Sequence, residues 1–89
     1  WYAIGSLIYI KIQQSSSTSN GTGYTMTLPV APASALTVLL FGIDNGVNLT
    51  NYVYLDASTA TATIYKDATG ANWTASGSKL IRGTFSYPF

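Results

Sequence analysis

Gly5-Ser6-Leu7-Ile8-Tyr9-Ile10-Lys11-Ile12 is the stretch whose reading decides the fold. Side chains of an extended chain alternate between faces, so Ile8, Ile10 and Ile12 share one side while Leu7, Tyr9 and Lys11 share the other. The pattern predicts a β-strand with a fully apolar inner face. Its outer face is aromatic, aliphatic and cationic rather than an ordinary wet surface. Other segments must therefore pair with this strand and cover its isoleucines.

Working outward, Trp1 to Ile4 is a short apolar lead-in that Gly5 turns back into the strand. Gln14 to Gly23 has no apolar side chain and contains Asn-Gly, which predicts an exposed loop. Tyr24-Thr25-Met26-Thr27-Leu28 alternates again, with Tyr24, Met26 and Leu28 inward, and stops at Pro29, which has no N–H to give a ladder. The two prolines of Pro29 to Ser34 keep that segment extended, as a crossing between sheets requires.

Leu36 to Phe41 is apolar on both alternation faces, which suggests a strand covered on two sides. A short helix competes with that reading, and the β-branched and aromatic neighbours and bounding Gly42 favour the strand. Asp44-Asn45-Gly46 is a turn. In Tyr52-Val53-Tyr54-Leu55-Asp56, Val53 and Leu55 point in and the tyrosines out. Thr59 to Tyr65 is a strand with Ala60, Ala62 and Ile64 on one face; Lys66 to Asn72 is a second polar loop. After Trp73 and a Ser76-Gly77-Ser78 turn, Leu80 to Tyr87 places Ile81, Gly83, Phe85 and Tyr87 together against Arg82, Thr84 and Ser86.

About seven short strands with turn signals between them, and no convincing helix, predict an all-β domain: an antiparallel β-sandwich of jelly-roll type. The chain of 89 residues is expected to be a single domain, 1–89. Its first residues resemble neither a signal peptide nor a natural start, so it reads as a fragment from the end of a longer chain.

Only 8% of residues are charged, against about 25% in ordinary soluble domains, while 47% are hydrophobic and 13% aromatic. A skin of Ser, Thr, Asn and Gly beside so much apolar material suits a subunit that buries part of its outside in an oligomer. The net charge is +1, and only Lys79 and Arg82 lie close together among the basic residues. Binding to nucleic acid or anionic lipid needs a basic patch, so neither partner is expected. The longest apolar run, Leu36 to Ile43, is far short of the ~20 residues that cross a bilayer, so membrane insertion is not expected.

The sequence has no histidine and no cysteine. That removes the commonest general base, the thiolate nucleophile and the usual transition-metal ligands, so no enzyme activity, catalytic residue, metal or cofactor is expected. Asp44, Asp56 and Asp67 stand at turns or strand ends, where local backbone hydrogen bonds explain an aspartate. Three dispersed aspartates make a weak calcium site, and the sequons at Asn20, Asn48 and Asn72 are what a Thr- and Asn-rich chain generates by chance.

The aromatics carry more information. Tyr9, Tyr52, Tyr54 and Tyr65 are predicted to face outward, and Trp73 stands beside a polar loop. Such rings stack on the C–H faces of sugars, and they are equally at home in subunit contacts. Tyr52, Tyr54, Asn72 and Trp73 are the candidate ligand residues; Leu7, Tyr9, Leu39 and Phe41 are the candidate subunit contacts. For Trp73 the core, an interface and a ligand platform all stay open.

Trp1, the Gly5 to Ile12 strand, Tyr24-Thr25-Met26-Thr27-Leu28-Pro29 and the closing Gly83-Thr84-Phe85-Ser86-Tyr87 resemble the C-terminal β-domains of bacteriophage tail fibres and tailspikes. The resemblance implies a homotrimer at the distal tip of a virion adhesin, outside the cell, that recognises a bacterial surface polysaccharide. The alternative it leaves is a purely structural cap that registers three fibre chains without a ligand site.

Overall fold

A computed structural model describes residues 1–13, the backbone of 17–18, and residues 22–75 and 77–89. The described residues form β1 (Tyr2–Ile4), β2 (Leu7–Gln13), β3 (Ser17–Thr18), β4 (Tyr24–Thr27), β5 (Leu36–Asp44), β6 (Val47–Asp56), β7 (Thr61–Tyr65) and β8 (Ser78–Pro88). Every pairing between them is antiparallel, and the order across the sheet is β1-β2-β8-β5-β6-β7-β4, with β3 beside β8. The all-β expectation holds. The strands lie on one continuous hydrogen-bonded path that curls into a half-barrel.

The curl has a local cause in β8. Lys79 to Arg82 pair with β5, whereas Arg82 to Pro88 pair with β2, so one strand serves two neighbours in succession. The change falls at Gly83, whose φ of 139° is one that side chains rarely adopt. A glycine inside a strand marks such a bend.

Alternation then fills the hollow. Ile8 and Ile10 from β2, Leu40 from β5, Val53 and Leu55 from β6, Ala62 and Ile64 from β7, and Ile81, Phe85 and Tyr87 from β8 form one buried cluster with Leu28 and Trp73. Val53, Leu55 and Tyr87 are fully buried; a Val or Leu so placed contributes about 1.5–3 kcal/mol. The Pro29 to Ser34 segment is tied to β8, because the Tyr87 hydroxyl donates to Val30 O at 2.7 Å and Ala33 N–H donates to Pro88 O at 2.9 Å, and Val30 packs against the core cluster.

Several sequence expectations need adjusting. Gly42 does not bound a strand: β5 continues through it to Asp44, where Asn45 (φ 50°) and Gly46 make a tight hairpin into β6. β7 begins at Thr61 rather than Thr59, since Ala60 has φ 53° and breaks the extended run. Within the loop expected over Gln14 to Gly23, Ser17–Thr18 instead form β3 against β8, while residues 14–16 and 19–21, and Ser76 of the last turn, lie outside the described residues.

Asp44 departs furthest from its local reading. It is buried opposite Lys79, itself buried, with Oδ1 3.5 Å from the ammonium. Its Oδ2 accepts from Thr74 N–H at 3.0 Å and from the Thr74 hydroxyl at 2.8 Å. Asp44 therefore pins a segment 30 residues away rather than its own turn. Asp56 and Asp67 do behave locally, accepting from Ser58 and Thr69 respectively.

Candidate functional site

The outer face of β6 and β7 carries the tyrosines. Cross-strand register sets Tyr52 opposite Tyr65 and Tyr54 opposite Thr63, so the alternation that buries Val53 and Ile64 turns these rings outward. The Tyr52 and Tyr65 ring centres are 5.8 Å apart, tilted by 48°. Together with Tyr54, Ala68, Thr69 and Gly70 they line an open depression of about 500 Å³.

The loop that forms the other wall is built by Asp67. Its Oδ1 accepts from Thr69 N–H at 3.0 Å and from the Thr69 hydroxyl at 2.5 Å. Gly70 N–H donates to Asp67 O, and Lys66 N–H to Ala71 O, each at 3.1 Å. The Thr69 side-chain and backbone hydrogen bonds hold the Asp67 carboxyl below the usual carboxylate range, so it stays ionised at neutral pH. The wall is thus a turn held by its own hydrogen bonds.

The arrangement offers exposed ring surface, phenol hydroxyls and backbone polar groups, which suit stacking and hydrogen bonding to a hydroxylated ligand. Among the described residues no group of three or more His, Cys, Asp or Glu is placed to hold a metal ion.

Of the four candidate ligand residues, Tyr52 and Tyr54 meet in this depression. Asn72 is exposed but does not line it. Trp73 must be reassigned: it is 2% exposed, packs edge-on against Tyr24 with ring centres 5.1 Å apart, and donates its indole N–H to Ile64 O at 3.0 Å. Its nitrogen is satisfied inside the core, which takes the ring out of reach of a ligand. Tyr65, Thr69 and Gly70 were missing from the candidates. The outward parity of Tyr65, directly before the Lys-Asp-Ala-Thr-Gly loop, was the available signal.

The four candidate subunit contacts fall into two groups. Leu39 and Phe41 are 60% and 41% exposed on the outer face of β5, where Leu39 stands opposite Tyr52. Leu7 and Tyr9 lie on β2, beyond the polar outer residues Arg82, Thr84 and Ser86 of β8. Tyr9 is half-buried beneath the stacked ring of Tyr2.

Comparisons with protein-family models, with curated proteins and with solved structures found no match to this chain.

Proposed function

We propose that this domain is an attachment module of the kind that ends bacteriophage tail fibres and tailspikes, recognising a bacterial surface polysaccharide and working as a trimer on the virion. The observation that carries the ligand half is the meeting of Tyr52, Tyr54 and Tyr65 with the Asp67-anchored turn. Outward-facing rings, Tyr54 exposed and Tyr52 and Tyr65 half-buried, beside a hydrogen-bonded polar turn suit a sugar, which presents an apolar C–H face and a rim of hydroxyls together. In the same reading the bend at Gly83 separates the two layers of a jelly-roll sandwich, β1, β2 and the end of β8 forming one and the remaining strands the other.

The trimer half is supported by the apolar outer residues Leu39 and Phe41, which a lone subunit leaves in water. They also support the second reading, a cap that only holds three chains in register.

Glycan-array binding with the variants Tyr52→Ala and Tyr65→Ala, and light scattering for mass, separate the two. Attachment predicts a glycan signal that either variant reduces about fivefold or more while the thermal melt stays within a few degrees, since such an outer ring contributes about 1–3 kcal/mol. A trimer that binds no bacterial glycan leaves the cap. A monomer at micromolar concentration overturns the trimeric reading.

A further inference from the structure

A second depression, of about 580 Å³, lies on the other half of the outer face, lined by Trp1, Tyr2, Tyr9, Lys11, Thr84 and Ser86 around the Ile10 and Phe85 pair. Register builds it. Tyr9 stands between Tyr2 on one side and Ser86 on the other, and Lys11 stands opposite Thr84. The Tyr2 and Tyr9 rings are parallel to within 9°, with centres 5.0 Å apart, so each supports the other as one stacked wall. Trp1 and Tyr2 are 72% and 57% exposed, leaving broad ring surface open to a ligand.

The charge is what distinguishes this site. Lys11 is exposed on its strand, and no carboxylate among the described residues lines the depression: Asp44 and Asp56 end β5 and β6, and Asp67 lies in the loop after β7. A ligand here meets stacked rings, the hydroxyls of Tyr2, Tyr9, Thr84 and Ser86 and the Lys11 ammonium, with no carboxylate among the lining residues. The volume falls in the range of small-molecule sites.

We propose that this depression binds an acidic saccharide, with its carboxylate on the Lys11 ammonium, its C–H face against Trp1 and Tyr2, and its hydroxyls on Thr84 and Ser86. A neutral sugar would leave the ammonium unused, and an apolar ligand would bury it. The site is separate from the Tyr52 depression and does not depend on that one being functional.

The test is a titration of the protein with two probes, a hyaluronan tetrasaccharide and tri-galacturonate, followed by backbone amide NMR. The methyl esters of both serve as uncharged controls. The expected result is shifts at Tyr9, Lys11, Thr84 and Ser86 for at least one acid, weaker binding of its ester, and binding that falls as salt is raised to ~0.5 M. Lys11→Gln, at an exposed position, is expected to weaken that acid about two- to fivefold, the size of one solvent-exposed charge pair. Tyr2→Ala should weaken acid and ester alike. Shifts confined to Tyr52, Tyr54 and Tyr65 overturn the proposal without touching the first site. So do equal binding of acid and ester, no shifts with either probe, or self-association that buries the groove and shuts both probes out.

Discussion

Gly42→Ala tests how tightly the hollow of the sheet is filled. A Cβ on Gly42 would stand 2.4 Å from Asn51 Oδ1, 2.8 Å from its Nδ2 and 3.0 Å from its Cγ. Asn51 has no room to yield: it is 0% exposed, and its Nδ2 donates to Lys66 O at 2.9 Å. The methyl must push the amide off that carbonyl, which leaves buried polar groups unpaired at about 1–3 kcal/mol. Overpacking adds about 1–3 kcal/mol. Replacing a strand glycine returns about 0.5–1 kcal/mol of backbone entropy. The net is a destabilisation of about 3 kcal/mol, or a fall in Tm of about 12–24 °C for a domain of this size. Urea unfolding should show the midpoint dropping with the m-value unchanged. A double-mutant cycle completes the assay: in an Asn51→Ala background the same methyl has space, and Gly42→Ala should cost less than about 1 kcal/mol. A loss below about 1 kcal/mol in the native background, or equal losses in both, refutes the reasoning.

Acid should unfold the protein partly through Asp44. Burial pushes its carboxyl up, but the two Thr74 hydrogen bonds and the Lys79 ammonium outweigh that and hold it below its ordinary value. The unfolded chain then binds the proton more readily, so this stability is full above the unfolded value and is lost as pH falls below about 4. Asp44→Asn should flatten that part of the stability curve, and a variant that keeps the wild-type slope there overturns the assignment. Trp73→Phe removes the indole N–H bond to Ile64 O and part of a buried ring, and is expected to cost about 2–3 kcal/mol in urea unfolding. Glycan binding at Tyr52 should survive that change wherever the protein remains folded; a selective loss of binding without loss of stability would return Trp73 to the ligand site.

Much of the fold was legible because its signals are local. The parity of Ile8 and Ile10 against Leu7 and Tyr9 follows from backbone geometry alone, as does that of Val53 and Leu55 against Tyr52 and Tyr54. Asn45-Gly46 announced its hairpin because few other residue pairs accept those angles. The candidate site was half legible for the same reason. Parity turned Tyr52, Tyr54 and Tyr65 outward, but nothing local said that Tyr52 would stand opposite Tyr65 rather than another residue.

The sequence by itself determined most of the strands, most of their inner faces, their main hairpin and the shortage of acid–base chemistry, since each depends on residue type and a period of two. Only the tertiary structure decided the single curled path bent at Gly83, the burial of Trp73, the pairing of Asp44 with Lys79 and Thr74, and the separation of the outer aromatics into two depressions. Those depend on which distant segments share a register. Register is set by the summed packing of the whole sheet, and a shift of one residue would have turned every side chain of a strand to its other face.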